Sequence, residues 1–265
     1  MGTPNVLLYS VSIEIVQLIC LLVIYEFHCY TFEIILFDAL EFLMIIVVGA
    51  EKGGVGKTSI ATNLAALAAG DGIDVLLLDT DVQGSSSAWV RIRNEENVTP
   101  QIALLTLPQN PLHELSKFAP RFDLIIVDIG AQNYNTMLHA AAVADLVLVP
   151  TGPDQFEVES TINVFGALRS LDVRHKSGKV PAYVVLNQLP TASKSREEAS
   201  LRKFLAEEGL QVFDAALRHR TSWRTSRRGG LAVHELTGRE NDAKASAEMR
   251  AIFNEAEKRA ELEAA

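Results

Sequence analysis

Lys52-Gly53-Gly54-Val55-Gly56-Lys57-Thr58-Ser59 places two lysines, three glycines and two hydroxyls within eight residues, a spacing suited to gripping phosphate. Glycines let consecutive backbone N–H groups curl around phosphate oxygens with no side chain in the way, and Gly53, Gly54 and Gly56 supply that freedom. Lys57 can then reach β- and γ-phosphates, and the Thr58 hydroxyl can ligate magnesium. A helix beginning near Thr58 would direct its N-terminal partial positive charge at the same anion. The expected cofactors are therefore ATP and Mg2+. The run departs from G-x-x-x-x-G-K-[ST] at one place, where Glu51 occupies the first glycine position. A plain glycine-rich turn is the bland alternative, and Lys57 with Thr58 weighs against it.

Three acids fall where such a site needs them. Leu76-Leu77-Leu78-Asp79-Thr80-Asp81 and Leu124-Ile125-Ile126-Val127-Asp128 are apolar runs that end in carboxylates, the second in the form of a Walker B segment. The carboxyl ends of strands in an open α/β sheet are where ligands collect. Carboxylates there can hold the water ligands of magnesium and orient an attacking water. The plainer role open to Asp79 and Asp81 is to cap the next turn.

These groups need elements to position them. From Met44 onward, apolar runs at 45–48, 75–78, 102–105, 124–127, 146–149 and 183–186 alternate with helical stretches at 58–69, 134–142, 155–171 and 195–208. Runs apolar at consecutive positions suggest strands covered on both faces. The alternation predicts an α/β, doubly wound, mostly parallel sheet with helices on both faces. Residues 44–265 read as one domain, closed by a charged, Ala-rich helix over 242–265.

The chain has 24 basic and 33 acidic residues, a net charge of -9. Five of the acids and no cation fall in residues 1–43, which also hold both cysteines, Cys20 and Cys29. The cysteine-free remainder excludes a disulfide framework, a thiolate metal site and a cysteine nucleophile there, and is compatible with a reducing cytoplasm. Residues 6–25 are apolar enough for a membrane span. They lack the flanking cations of a signal peptide or an oriented anchor. The expectation is that Met44, directly before the first strand, is the true start, with a genuine anchor as the alternative.

K-G-G-x-G-K-[ST], with its extra lysine, closely resembles the deviant phosphate loop of the ParA/MinD superfamily of P-loop ATPases. The resemblance implies that Lys52 reaches across a dimer interface to the partner's nucleotide, as an arginine finger does elsewhere. ATP would then be the glue of a sandwich homodimer. Members of the ParA branch often carry a non-glycine residue where Glu51 stands. The stretch from Asp79 to Ser85 looks like the family's D-x-D-P-Q-G segment, with Val82 in place of the proline. It implies that Asp81 positions the hydrolytic water and Asp79 supports the metal shell. The Walker B acid is usually followed by one residue and two prolines. Here Ile129-Gly130-Ala131 follows, so the metal role of Asp128 carries over and the course of the next loop does not. Val185-Leu186-Asn187-Gln188 resembles a family strand ending in a polar residue that reads the adenine edge, a task for which Asn187 has a paired donor and acceptor. The similarity spans about residues 44–258.

Two functions compete under that resemblance. Arg218-His219-Arg220-Thr221-Ser222-Trp223-Arg224-Thr225-Ser226-Arg227-Arg228 holds five arginines in eleven residues. Arginines and hydroxyls contact phosphate oxygens without reading sequence, and a second patch comprises Arg169, Arg174, His175, Lys176 and Lys179. A charge cluster is more often a solvated face, but the acidity of the chain argues against an incidental one. The cluster favours a ParA-type DNA segregation ATPase, cytoplasmic and associated with the nucleoid. It would bind non-specific DNA as an ATP dimer and let go after weak hydrolysis stimulated by a ParB-type centromere-binding partner. The other reading is a MinD-like, membrane-associated positioning ATPase. That branch ends in a basic amphipathic helix, whereas residues 254–265 are acidic, so no membrane partner is expected. Redox relatives hold iron–sulfur clusters with cysteines absent from this body, and the tyrosine-kinase relatives' terminal tyrosine cluster is missing.

Overall fold

Parallel strands need long crossovers, and crossovers made of helices cover both faces of the sheet. The computed structural model, which describes residues 44–107, 121–131, 133–171, 178–191 and 196–264, follows that rule. The readings made for residues 1–43 and for Arg174, His175 and Lys176 lie outside the described residues. Strands β1 (Met44–Val48), β2 (Val75–Asp79), β3 (Ala103–Thr106), β4 (Leu124–Asp128), β5 (Leu146–Thr151), β6 (Ala182–Leu189) and β7 (Val212–Arg218) make one sheet in the order β3-β2-β4-β1-β5-β6-β7. All neighbours run parallel. Six strands coincide with the expected apolar runs. The seventh, β7, was not anticipated: it lies at the sheet edge, its burial is intermittent, and Asp214 interrupts its apolar run.

The helices are α1 (Lys57–Gly70), α2 (Ser85–Glu95), α3 (Tyr134–Ala141), α4 (Gln155–Arg169), α5 (Arg196–Glu207), α6 (Ser222–Arg228) and α7 (Ala243–Ala264). Alternate strand residues feed two cores. Ile46, Val48 and Ile126 face Leu64 of α1, Trp89 of α2 and Phe253 of α7. Val47, Ile125 and Val127 face Met137 of α3, Phe165 of α4 and Leu205 of α5. Helices α2 and α6 were not foreseen, because both are short and rich in Ser and Arg.

The C-terminal helix is more than a charged tail. Ala245, Met249, Ile252, Phe253, Ala256 and Ala260 recur at helical spacing and are all buried, giving α7 one continuous apolar stripe against the sheet. Arg250 pairs with Asp71, and the Tyr183 hydroxyl donates to Glu263 Oε1 at 2.8 Å. Among the described residues, no helix is long and apolar enough to cross a membrane.

Strand β1 is central, so the loop after it emerges between the carboxyl ends of β4 and β5, where the strand order reverses. Such a switch point opens a crevice for ligands. Because α7 completes one core, Phe253→Ala should lower stability by about 3–5 kcal/mol, measured as the shift in urea unfolding at constant slope.

Candidate nucleotide and magnesium site

The loop after β1 closes on itself before any ligand arrives. Lys57 is 7% exposed and its Nζ donates to the Lys52 carbonyl at 2.8 Å. Burial pushes the Lys57 ammonium below its ordinary pKa, against the pull of Asp128 and Asp81. A partly desolvated cation facing a glycine-rich loop gains more from a phosphate than one in water would. Gly56 has φ +95°, and a Cβ there would stand 2.2 Å from Asn187 Nδ2. The position therefore demands glycine twice, by backbone conformation and by close approach. No side chain caps α1 and its first turn holds no acid, so its first N–H groups are left for an anion.

Asp128 is the focus of the metal chemistry. It ends β4, is 1% exposed, and stands level with Asp79 of β2 and Val48 of β1 in the strand register. Its Oδ2 accepts from the Thr58 hydroxyl at 2.7 Å and from the Ser86 hydroxyl at 2.7 Å. Its Oδ1 is buried with no hydrogen-bond partner among the described residues. An unmatched buried carboxylate oxygen is costly. Burial lifts the group to about 6, with Asp79 adding to the rise and the Ser86, Thr58 and Lys57 contacts opposing it. An oxygen in want of a donor, beside a threonine hydroxyl on the same acid, suits a water of a hard divalent cation. The residues present fit Mg2+.

Asp81 lies at the rim, partly exposed, with Oδ1 accepting the Gln83 N–H at 2.9 Å. The loop around it is held from below. The Thr80 hydroxyl donates to the Asp128 carbonyl at 3.0 Å, and the Asn133 amide donates to the Thr80 carbonyl. Gly53, Gly54, Val55 and Ser59 take their expected places in the loop and the first helical turn. The Lys52 side chain is exposed.

Two expectations meet a different geometry. Asp79 was expected in the metal shell, yet its Oδ1 accepts the Asp81 N–H at 3.0 Å. Its Oδ2 accepts the Ser87 N–H at 2.8 Å and the Ser87 hydroxyl at 2.7 Å. Both oxygens thus fix the β2–α2 loop, the turn-capping alternative. Asn187 was expected to read adenine, but its Nδ2 donates to the Val55 carbonyl at 2.7 Å and its Oδ1 accepts the Gln188 N–H at 2.8 Å. It buttresses the phosphate loop, and Gln188 Nε2 adds a second prop to the Gly54 carbonyl at 2.6 Å. Glu51, for which no role was expected, accepts on its Oε2 from the buried Ser160 hydroxyl of α4 at 2.8 Å.

The arginine cluster separates into two sets. Arg218 pairs with Glu198 at 3.0 Å and donates to the Pro190 carbonyl, and Arg220 is held by Glu248. Glu248 also raises the Arg220 pKa. These two are structural, contrary to their expected part in DNA contact. Arg224, Arg227 and Arg228 are exposed, sit at i, i+3 and i+4 on α6, and have no acidic partner among the described residues. In the second patch, Arg169 donates to the carbonyls of Glu208 and Gly209. Sequence reasoning missed Ser86, Ser160 and Gln188. The three consecutive serines opening α2 beside a strand-end acid were the one available cue for Ser86.

Below about pH 6 a proton occupies Asp128 and competes with the cation, whereas above it the carboxylate is charged. Apparent Mg2+ affinity in the presence of nucleotide should therefore rise as pH climbs through about 6 and then level off. Titration calorimetry across pH 5–8 tests this, and Asp128→Asn should shrink the step to the part contributed by the γ-phosphate of the nucleotide, which titrates in the same range.

Comparison with known proteins places the site in a family. The CobQ/CobB/MinD/ParA nucleotide binding domain model matches residues 46–232. The chain is 26% identical to Protein ParA of Rhizobium radiobacter over 215 residues, covering 79% of this chain and 93% of that protein. It is 30% identical to Maintenance of carboxysome distribution protein A of Gloeobacter kilaueensis over 207 residues, covering 77% and 89%. Its fold is similar to an ATP complex of a Cyanothece McdA variant, with a TM-score of 0.63, 17% identity and coverage of 82% and 96%. With a phosphate loop, a Walker B acid and a match that runs through both, the chain belongs to the CobQ/CobB/MinD/ParA nucleotide-binding family and is an ATPase of the ParA/MinD superfamily.

Proposed function

We propose that the protein is an ATP-dependent DNA segregation ATPase whose nucleotide state times its grip on non-specific DNA. The observation that carries this reading is the set Arg224, Arg227 and Arg228, presented on one face of α6 with no acidic partner among the described residues while the neighbouring arginines are neutralised. Three guanidinium groups on one short helix suit a row of phosphates and carry no sequence preference. The relative named Protein ParA and the one named Chromosome-partitioning ATPase Soj support it.

In this reading the loop amides of residues 53–59 and Lys57 bind the phosphates of ATP. Thr58 and Asp128 would hold Mg2+, which would supply charge neutralisation at the phosphates. Asp81, at the rim with one oxygen left for water, orients the nucleophile. Water adds to the γ-phosphorus as the bond to the β-phosphate oxygen breaks, giving ADP and phosphate. Lys52, exposed beside the loop, neutralises phosphate charge on a second subunit, so ATP assembles a homodimer. A ParB-type partner stimulates hydrolysis and releases the DNA. Asp79 acts on the metal only through the loop it fixes.

Two alternatives differ in what the switch controls. A MinD-like membrane role would need an available amphipathic terminus, and the apolar stripe of α7 is spent in the core. Relatives named for carboxysome distribution favour a second reading in which a protein body is the cargo. Residues 1–43 are proposed to precede the functional start at Met44.

Lys57→Ala should abolish nucleotide binding, whereas Lys52→Ala should bind nucleotide as a monomer yet lose ATP-dependent dimerisation in light scattering; a Lys52→Ala protein that still dimerises rules out the cross-subunit role. Replacing Arg224, Arg227 and Arg228 together by Glu should weaken ATP-dependent retention on random-sequence DNA at least tenfold without affecting the dimer. It should also reduce the log–log salt slope by about 3 per subunit. Unchanged retention would move the DNA surface elsewhere.

A further inference from the structure

Helix α2 is anchored at both ends by buried polar contacts, and each end touches a different functional region. At its start, Ser86 is fully buried and its hydroxyl donates to Asp128 Oδ2. The next residue, Ser87, is fastened to Asp79 by its N–H and its hydroxyl. The first turn therefore rests on the two strand-end acids, one of which is the candidate metal acid.

Two turns on, about 10 Å along the axis, Arg93 is fully buried as well. Its Nε donates to the Pro100 carbonyl at 3.0 Å and its Nη1 to the Gly230 carbonyl at 3.0 Å. Glu235 receives both Nη groups, at 2.8 and 2.6 Å, while the guanidinium lies 5.2 Å from the centre of the Trp89 ring. Trp89 in turn donates to the Leu231 carbonyl at 3.2 Å. Gly230 takes φ +65°, and a Cβ there would stand 2.4 Å from the Arg93 nitrogen, so the two backbones touch. Residues 230–235 are thus clamped to α2, and they begin two residues after Arg228, the last residue of the arginine helix. Helix α1 holds the same segment: Asn63 accepts the Val233 N–H at 2.8 Å and donates to the Ser59 carbonyl at 2.7 Å.

A buried two-pronged ion pair does not stretch without leaving a charge uncompensated, and a close-packed core passes displacement on rather than absorbing it. We propose that α2 carries the state of the magnesium site to the arginine face. Ser86 is the positioning residue at the metal end, and the Arg93–Glu235 pair is the clamp at the other. When Asp128 takes a cation's water on Oδ1, its Oδ2 is re-aimed, and Ser86, whose hydroxyl donates only to Asp128 among the described residues, moves with it. The segment 230–235, gripped by α2 on one side and α1 on the other, then shifts α6. The coupling rests on the DNA reading for its consequence, though not for its detection.

Both tryptophans of the chain lie on this path, Trp89 in α2 and Trp223 in α6, where its Nε1 donates to the Arg218 carbonyl. Tryptophan emission of the full chain with saturating ATP, excited at 295 nm with Mg2+ present or removed by a chelator, therefore reports the path without DNA. A Trp223→Phe control isolates the contribution of α6. The parent should show different emission with and without Mg2+ and a ratio of DNA retention, with Mg2+ over without it, of at least tenfold. Glu235→Gln should bind a fluorescent ATP analogue with parental affinity, yet lose most of the α6 signal, with the retention ratio falling towards one. Ser86→Ala, brought to saturation with Mg-ATP at whatever concentration its own affinity requires, should likewise lose most of the α6 signal and of the retention ratio, and decides the matter if Glu235→Gln does not fold by circular dichroism. A parental emission response in either folded variant overturns the coupling, as does a parent with no response or a Ser86→Ala protein that no longer binds nucleotide. If the emission response is present in the parent and lost in the variants, but the parent retains no DNA with ATP either with or without Mg2+, the coupling stands and the DNA reading fails.

Discussion

Burying Asp128 at the end of β4 sets the terms for its neighbours, because a carboxylate removed from water must find donors, a proton or a cation. Among the described residues, the fold supplies two hydroxyls to one oxygen and nothing to the other. Lys57 is under the complementary constraint, a cation drawn into the same low-dielectric crevice and resting on a carbonyl. Neither group is fully compensated by protein alone, and phosphate with a divalent cation would satisfy both. The site is therefore organised around two incomplete electrostatic accounts of opposite sign, each held rigidly enough that a ligand need not reorganise it.

The parallel sheet makes this arrangement possible. Strands that all run in one direction deliver their carboxyl ends to one edge, so Asp79 and Asp128 arrive side by side in register although 49 residues separate them. Having arrived together, the two acids are used differently. Asp79 meets donors from the following turn and locks the loop, leaving Asp128 as the acid with spare capacity. The same loop carries Asp81 to the rim. Asn187 and Gln188, at the end of β6, prop the phosphate loop from beneath through two of its carbonyls. Three carbonyls of the phosphate loop, those of Lys52, Gly54 and Val55, are thus engaged by side chains.

The arginine cluster shows how tertiary contacts sort residues that look equivalent in a string. Arg218 and Arg220 fall beside Glu198 and Glu248, which α5 and α7 bring to the end of β7, and their charge is neutralised within the fold. Arg224, Arg227 and Arg228 are carried past those acids by α6 and remain exposed. A net charge of -9 over the chain is no obstacle to such a face, since association with a polyanion depends on local potential.

The phosphate loop, the Walker B strand and the alternation of apolar runs with helices were legible in the sequence because each is a local pattern. Glycines, a lysine and a hydroxyl at fixed spacing need only a strand before them and a helix after. Six strands were legible for the same reason, whereas β7 and the short α2 and α6 lack a strong period and exist because the surrounding layers accept them. Donor and acceptor assignments were not legible. That Asp79 caps a loop, that Asn187 supports Val55, that Ser86 answers Asp128, and that Arg93 is buried on Glu235 are all pairings between residues distant in sequence or across a turn of unknown course. The sequence determined which groups could hold a nucleotide and on what kind of sheet. The tertiary structure alone decided which polar atoms are consumed within the protein and which remain for a ligand, because hydrogen-bond satisfaction depends on proximity that no one-dimensional spacing encodes.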